Sequence, residues 1–452
     1  MIKNKKMEES GITVALAVII AVVVTAVVVG AAVYVAKPAE VVAGEVTKTV
    51  TSTVTVTSPG GGVVEVPKKV TMGFVMGGFV EGSTWDGRYK MAAERLKWLY
   101  PDWYDFAYDD GVVLQGIDPI SSAKDLMSIH GANIIVGSWE GCVVPAFGQI
   151  HNDYPNVYFL GNIGSDLSRG GNYMRFFPRQ YQAMYLEGLV AGALTKTNKV
   201  GIAVGPACVQ NYRRMAAFYL GIKDANPNAT LYIKYVGEWY APTVERDVSI
   251  ALADLGCDIL TNYTDSTAPV QVCEEKGIWY VGKDSDIVAL YGWSTIDTVA
   301  VSFDTRWEVI WDHFAKEYLA GVKAPQDLVF LGMDDHIAIP ANNPWLPGET
   351  LLPTVDLQNN NKIGVEAISP KALPHISSDI VDLVKLRRSQ MLAGVWDPFT
   401  EHELVSGGVG VELPGVPVPA KGTVVKPAGE VPSDEFLLGK LNFQLDGIVL
   451  VE

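Results

Sequence analysis

From residue 70 onward, short apolar runs alternate with stretches of helical spacing. VTMGFVMG (70–77), ANIIVGS (132–138), NVYFLGNI (156–163), KVGIAVG (199–205), TLYIKYVG (230–237), CDILTNY (257–263) and IWYVGKDSD (278–286) read as strands. DGRYKMAAERLKWLY (86–100), RQYQAMYLEGLVAGAL (179–194), VQNYRRMAAFYLGIKDAN (209–226), ERDVSIALADLG (245–256) and APVQVCEEKG (268–277) read as the helices between them. Strand–helix–strand alternation predicts an α/β protein with parallel sheets covered by helices on both faces. The strands are too many for one ordinary sheet, so two Rossmann-like lobes with a cleft between them are the expected packing.

A different pattern precedes this. Residues 11–36 carry no charge over 26 positions, and Lys3, Lys5 and Lys6 come before them. A bilayer core needs roughly 20 residues of helix, and in lipid only a helix satisfies its own backbone despite the many β-branched side chains. The lysines place residues 1–10 in the cytoplasm and everything beyond the helix outside. A cleaved signal peptide has a shorter apolar core, and the first cysteine, Cys142, lies too far on to accept a lipid. The expectation is an uncleaved transmembrane anchor and a cell-membrane location with an extracytoplasmic body. Residues 37–67 are rich in Thr, Ser and Val and run into Pro59 and three glycines, which reads as an exposed stalk. The alternation in 46–57 also permits a strand.

Composition narrows the function. Of 452 residues 48% are hydrophobic and 19% charged, enough apolar material for a large core and too much for a disordered chain. A formal net charge of -16 without a basic cluster in the folded part argues against nucleic acid as a partner. Cys142, Cys208, Cys257 and Cys273 form no CxxC and have no histidine at zinc spacing, so no metal is expected. Cys257 and Cys273 are open to two readings, a bridge or small buried packing. GxxxxGK[ST] does not occur, so an ATPase activity would belong to another subunit.

In α/β sheets the loops at the carboxyl ends of strands carry function. Those loops hold Trp85-Asp86, Trp139-Glu140, Trp239-Tyr240, Thr264-Asp265-Ser266 and Asp284-Ser285-Asp286. Aromatic faces beside carboxylates and hydroxyls suit a flat, uncharged ring bearing hydrogen-bond donors. Asp265 reads either as a ligand acceptor or as a cap for the helix starting near Ala268. Trp239 reads as a stacking plate or a core aromatic. Asp284 and Asp286 resemble a catalytic or metal-binding pair, but no base, nucleophile or histidine accompanies them. Arg246 is expected to pair with an acid on its own helix.

The stretches YLEGLVAGALTKTNKVGIAV and LGIKDANPNATLYIKYVGEWYAPTVERDVSIALADLGCDILTNYTDSTAPVQVCEEKGIWYVGKDSDI resemble the basic membrane protein (BMP) family of ABC-transporter substrate-binding proteins. The TKTNKVG turn, the W-Y-x-P loop, T-D-S-x-A-P-V-Q and G-x-D-S-D occur in the family's order, and the likeness extends to Trp396-Asp397-Pro398-Phe399 and the C-terminal LDGIV. The resemblance implies a type I periplasmic-binding fold, crossed several times by the chain and closing on a ligand, with purine nucleosides or bases as the usual ligands. It implies ligand-binding roles for Trp239, Thr264, Asp265, Ser266, Gly282, Asp284 and Asp286. In the first lobe Trp85, Asp86 and Trp139 are the matching candidates, in loops that depart from the family's usual wording.

The expected organisation is a tail (1–10), anchor (11–36), stalk (37–67), first lobe (68–177, rejoined by about 300–330), second lobe (178–299), and a C-terminal region (331–452) completing both lobes. Within it, the Pro- and Asn-rich 334–362 reads as a surface excursion, a tolerated loop or a permease contact. The expected function is capture of a purine nucleoside or base for an ABC importer with separate permease and ATPase subunits. No cofactor and no catalysis are expected. A membrane-tethered nucleoside-sensing receptor is the alternative, disfavoured by the short cytoplasmic tail; a nucleoside-processing enzyme would need a nucleophile and base that the sequence does not offer.

Overall fold

A computed structural model of the chain describes residues 55–57, 63–65, 69–162, 170–284, 297–322, 328–334, 355–356 and 368–452. The expected anchor at 11–36, Asp286 of the expected site, and the 334–362 excursion apart from Asp334 and Val355–Asp356 lie outside these residues. Among the described residues no helix is long and apolar enough to cross a membrane. Of the expected stalk, Thr55–Thr57 and Val63–Glu65 pair as short antiparallel strands.

The chain begins its first lobe with β1 (Val70–Val75), α1 (Asp86–Leu99), β2 (Tyr104–Asp109), α2 (Pro119–His130), β3 (Ile134–Gly137), α3 (Val144–Ile150), β4 (Tyr158–Asn162) and β5 (Tyr173–Pro178). It then builds a second lobe from α4 (Tyr181–Leu194), β6 (Lys199–Val204), α5 (Val209–Ala225), β7 (Thr230–Tyr235), α6 (Pro242–Asp254), β8 (Ile259–Tyr263), α7 (Ala268–Lys276), β9 (Trp279–Val281) and β10 (Val299–Val301). The helix α8 (Trp307–Leu319) and strand β11 (Leu328–Leu331) return to the first lobe, where α8 packs on α1 and β11 joins β5. The first sheet runs β11-β5-β4-β3-β1-β2 and is parallel throughout.

After these come α9 (Ser378–Leu392), which packs on α4, the short α10 (Pro398–Glu401), and three strands β12 (Leu404–Gly410), β13 (Val424–Lys426) and β14 (Phe443–Leu445). The last strand, β15 (Val449–Leu450), closes the second sheet, which runs β10-β9-β8-β6-β7-β15 and is also parallel. Both sheets accord with the expected α/β lobes. The antiparallel sheet β13-β12-β14 was not expected from the alternation.

Local chemistry accounts for the elements. All four residues of the central β3 are buried, as befits an apolar run covered on both faces. The edge strand β2 reads YDFAYD and is only half covered, so it carries no apolar run to mark it. Asp118 caps α2 by accepting from Ile120 N and Ser121 N at 3.2 Å, Pro119 opens the helix, and Gly131 ends it in the left-handed region at φ 69°. The helix α4 is buried on almost every side, between α5, the sheet and α9.

The α4–α5 contact is made by backbone. A Cβ on Gly188 would lie 2.2 Å from Phe218 O, and one on Gly221 would lie 2.1 Å from Tyr185 O. Any side chain there forces the helices apart. We expect Gly221→Ala to lose about 1–3 kcal/mol in urea unfolding, the usual scale of overpacking, despite alanine's better helix propensity. An unchanged midpoint would show that the helices separate at little cost.

Candidate functional site

The cleft is lined by Trp85, Ser138, Trp139, Glu140 and Asn162 from the first lobe and by Gln210, Arg214, Trp239 and Asp265 from the second. Every one of them follows a strand's carboxyl end or lies in the opening turns of α5. Gln210 and Arg214 are four apart on α5, hence on one face. The lobes touch at this level, where Thr84 N donates to Asp265 O at 2.9 Å.

Asp86, the first residue of α1, is fully buried. It accepts from Ser138 Oγ at 2.6 Å, Trp139 Nε1 at 3.1 Å and Gly78 N at 3.2 Å. The glycine pair after β1 makes this possible: a Cβ on Gly77 would meet the Trp139 ring at 2.2 Å, and one on Gly78 would meet Asp86 Oδ2 at 2.7 Å. Burial pushes the Asp86 carboxyl up to about 8, against the hydrogen bond from Ser138 and with the help of the Asp265 charge. Asp86 is therefore largely a neutral acid at pH 7.

Trp85 is buried in an aromatic cluster with Trp307 and Tyr89, at centroid distances of 5.1 and 5.7 Å, and its Nε1 donates to Ser138 O at 3.0 Å. The Arg214 guanidinium and the Lys283 ammonium lie 5.6 and 6.0 Å from its ring. Its role is thus both core and cleft floor. Trp139 and Trp239 are cleft walls, one from each lobe.

Asp265 lines the cleft and is fixed by its neighbours. Glu245, at the start of α6, accepts from Thr264 Oγ1 at 2.6 Å, Ser266 Oγ at 2.7 Å and Ser266 N at 3.3 Å. The hydroxyls of Thr264 and Ser266 are thus engaged below the loop and present Asp265 to the cleft. Asp265 does not cap α7, since its carboxylate pairs with Lys283 Nζ at 2.9 Å; Ser266 Oγ instead accepts from Ala268 N. Gly282 N donates to Val301 O at 2.8 Å, which ties β9 to β10. Asp284 is completely buried, at φ 63°, and pairs with Lys283. Arg246 pairs with Glu275 of α7 at 2.6 Å and not with an acid of its own helix. All four cysteines are free thiols, with Cys257 and Cys273 buried.

Ser138, Asn162, Gln210, Arg214, Lys283 and Glu245 were not singled out in the sequence. Lys283 occupies the variable position of G-x-D-S-D, and Arg214 and Gln210 lie inside a helix, where pattern alone gives them no distinction. Asn162 at the end of β4 donates to Ser138 O at 2.7 Å, while its Oδ1 is buried without a partner among the described residues. Burial opposes the charge on Lys283, but Asp284 and Asp265 outweigh it and hold its pKa above the usual value. Asp265 and Asp284 both pair with Lys283, and Arg214 lies 3.5 Å from Asp284. No sequence pattern marks these two cations, and both are engaged by protein acceptors.

Two parallel-sheet α/β lobes with a cleft at the strand ends are the architecture of periplasmic-binding-protein folds. Residues 69–339 match the family model of the ABC transporter substrate-binding protein PnrA-like (Bmp) proteins, and the chain belongs to that family. A purine-binding protein of Brucella abortus is 25% identical over 268 residues, covering 59% of this chain and 74% of its own. A putative ABC transporter glucose-binding protein of Haloferax volcanii is 27% identical over 200 residues, covering 44% of this chain but only 49% of its own. An ABC transporter solute-binding protein from Conexibacter woesei shares the fold, with a TM-score of 0.51 at 20% identity over 73% of this chain and 98% of its own.

Two outcomes test the electrostatics. A carboxyl whose folded pKa exceeds its unfolded one stabilises the fold fully below the unfolded value of about 3.8, and that contribution is lost as pH rises through about 8. Asp86→Asn should therefore gain in melting temperature relative to the parent as pH goes from 6 to 9; a constant difference would mean that Asp86 does not titrate there. Lys283→Met leaves two buried carboxylates facing each other, and chemical denaturation should show a loss of roughly 3–5 kcal/mol. A loss under 1 kcal/mol would show that the pair is not held by this ammonium.

Proposed function

We propose that this chain is the solute-binding subunit of an ABC importer and that it captures a purine nucleoside or base by closure of its two lobes. The observation that carries the reading is the pair of indoles, Trp139 and Trp239, that line the cleft from opposite lobes. On this reading a neutral, flat ring is held between them, and stacking supplies affinity. The free Oδ1 of Asn162 accepts from a ring N–H or amine. The purine-binding relative in Brucella abortus supports the choice of ligand. Residues 11–36 would anchor the protein, with the body outside the membrane beside permease and ATPase subunits, as membership of the family suggests.

A sugar is the second reading. A pyranose also stacks on indole and donates hydrogen bonds from its hydroxyls to carboxylates, and the Haloferax volcanii relative carries the name glucose-binding. Thermal unfolding of the full-length chain in detergent should decide between them. Adenosine, guanosine, inosine or a free purine at a hundredfold excess over Kd should stabilise it by about 2.7 kcal/mol. A shift with glucose and none with the purine panel would overturn the purine reading and leave the sugar.

A further inference from the structure

Two of the chain crossings that join the lobes lie side by side. One runs from Pro178 at the end of β5 through Arg179 and Gln180 into α4; the other runs from Val301 at the end of β10 through Thr305 into α8. Gln180 sits between them with 1% of its surface exposed, and its amide is fully used. Nε2 donates to Thr305 Oγ1 at 2.9 Å and to Asp284 Oδ1, while Oε1 accepts from Arg214 Nε at 3.0 Å and from Arg214 Nη2. The Thr305 N–H closes the circuit by donating to Asp284 O at 3.0 Å.

Each partner lies on a different part of the molecule. Thr305 belongs to the second crossing and Asp284 to the loop after β9. Arg214 belongs to α5, where its guanidinium lies 5.6 Å from the ring of Trp85, a first-lobe residue. Asp284, in turn, pairs with Lys283, which holds Asp265, and the Asp265 carbonyl takes the Thr84 N–H from the opposite lobe. One amide thus stands at the centre of a buried chain that starts at the hinge and ends on both walls of the cleft. Opening the lobes would turn the crossings against each other, with Gln180 at the point where they are tied.

We propose that Gln180 is a positioning residue for capture: it cross-ties the two crossings and sets Arg214, and so holds the lobes in the closed arrangement that brings Thr84 onto Asp265. The role is mechanical and independent of which solute the cleft takes, although the value of closure for capture rests on the solute-binding reading above. Gln180→Leu removes every bond. Gln180→Glu keeps the acceptor for Arg214 but sets an oxygen against Asp284 Oδ1, so it loses the tie and keeps the side chain's size. Thr305→Val removes a single bond and leaves Arg214 seated.

Hydrogen exchange of the full-length chain in detergent, without added solute, reads this directly. The Thr84 amide is protected by its bond to the other lobe, whereas the Ile202 amide lies in the middle of the second sheet. In Gln180→Leu and Gln180→Glu the Thr84 amide should exchange about tenfold faster or more, with Ile202 unchanged. Thr305→Val should give a smaller increase at Thr84 alone. Unchanged exchange at Thr84 in both Gln180 variants would overturn the proposal. So would equal acceleration at Thr84 and Ile202, because Gln180 would then serve general stability and not closure. Should Gln180→Leu fail to fold, Gln180→Glu and Thr305→Val carry the same comparison. Since no solute is added, these results stand whether or not a purine proves to be the ligand.

Discussion

One ammonium group, Lys283, keeps the cleft and the hinge compatible. It is buried between Asp265 and Asp284, and two carboxylates enclosed in so little space would repel each other without it. With it, Asp265 faces the cleft as a fixed acceptor and Asp284 faces the crossings. Arg214 supplies the second positive charge, and Gln180 takes up its hydrogen bonds. The fold thereby buries several ionisable groups in pairs at the border of the cleft. Such networks are costly to desolvate, and their usual return is a unique arrangement more than raw stability.

That arrangement requires a rigid platform, and α4 with α5 provides it. Close approach through Gly188 and Gly221 fixes α5 against α4, and α4 begins directly after Gln180. The same contact that packs the second lobe therefore places Gln210 and Arg214 at the cleft. Glu245 plays the corresponding part for the loop after β8. Its single carboxylate gathers the hydroxyls of Thr264 and Ser266 and leaves Asp265 as the residue that points outward.

The lobes were legible because parallel strands buried on both faces must be written as apolar runs, as in β3 and β6. The edge strand β2, with Asp105 and Asp109, and β5, with Arg175 and a terminal proline, lack that signature. Of the residues that the strand-end rule singled out, Trp85, Trp139, Trp239 and Asp265 border the cleft. The rule could not tell a side chain that faces the cleft from one that frames its neighbour, which is why Thr264 and Ser266 looked the same as Asp265. Nor could it find partners far apart in sequence: Gln180 meets Asp284 across 104 positions, and nothing local marks Gln180.

The chemistry of selection follows from what the cleft has already spent. Lys283, Arg214, Asp284 and the framing hydroxyls are engaged by protein, so they shape the site more than they address a ligand. Glu140, Gln210, Asp265, Asn162 and the indoles line the cleft. On the proposed reading, a ligand that leaves a buried acceptor unpaired loses roughly 1–3 kcal/mol, whereas extra apolar contact discriminates little between rings of similar size. Selection on that reading is a matter of hydrogen-bond pattern around the ring's edge, with the indoles admitting flat or flat-faced rings as a class. Closure sharpens it, because the wall carrying Trp239 and Asp265 reaches the ligand only when the two lobes meet.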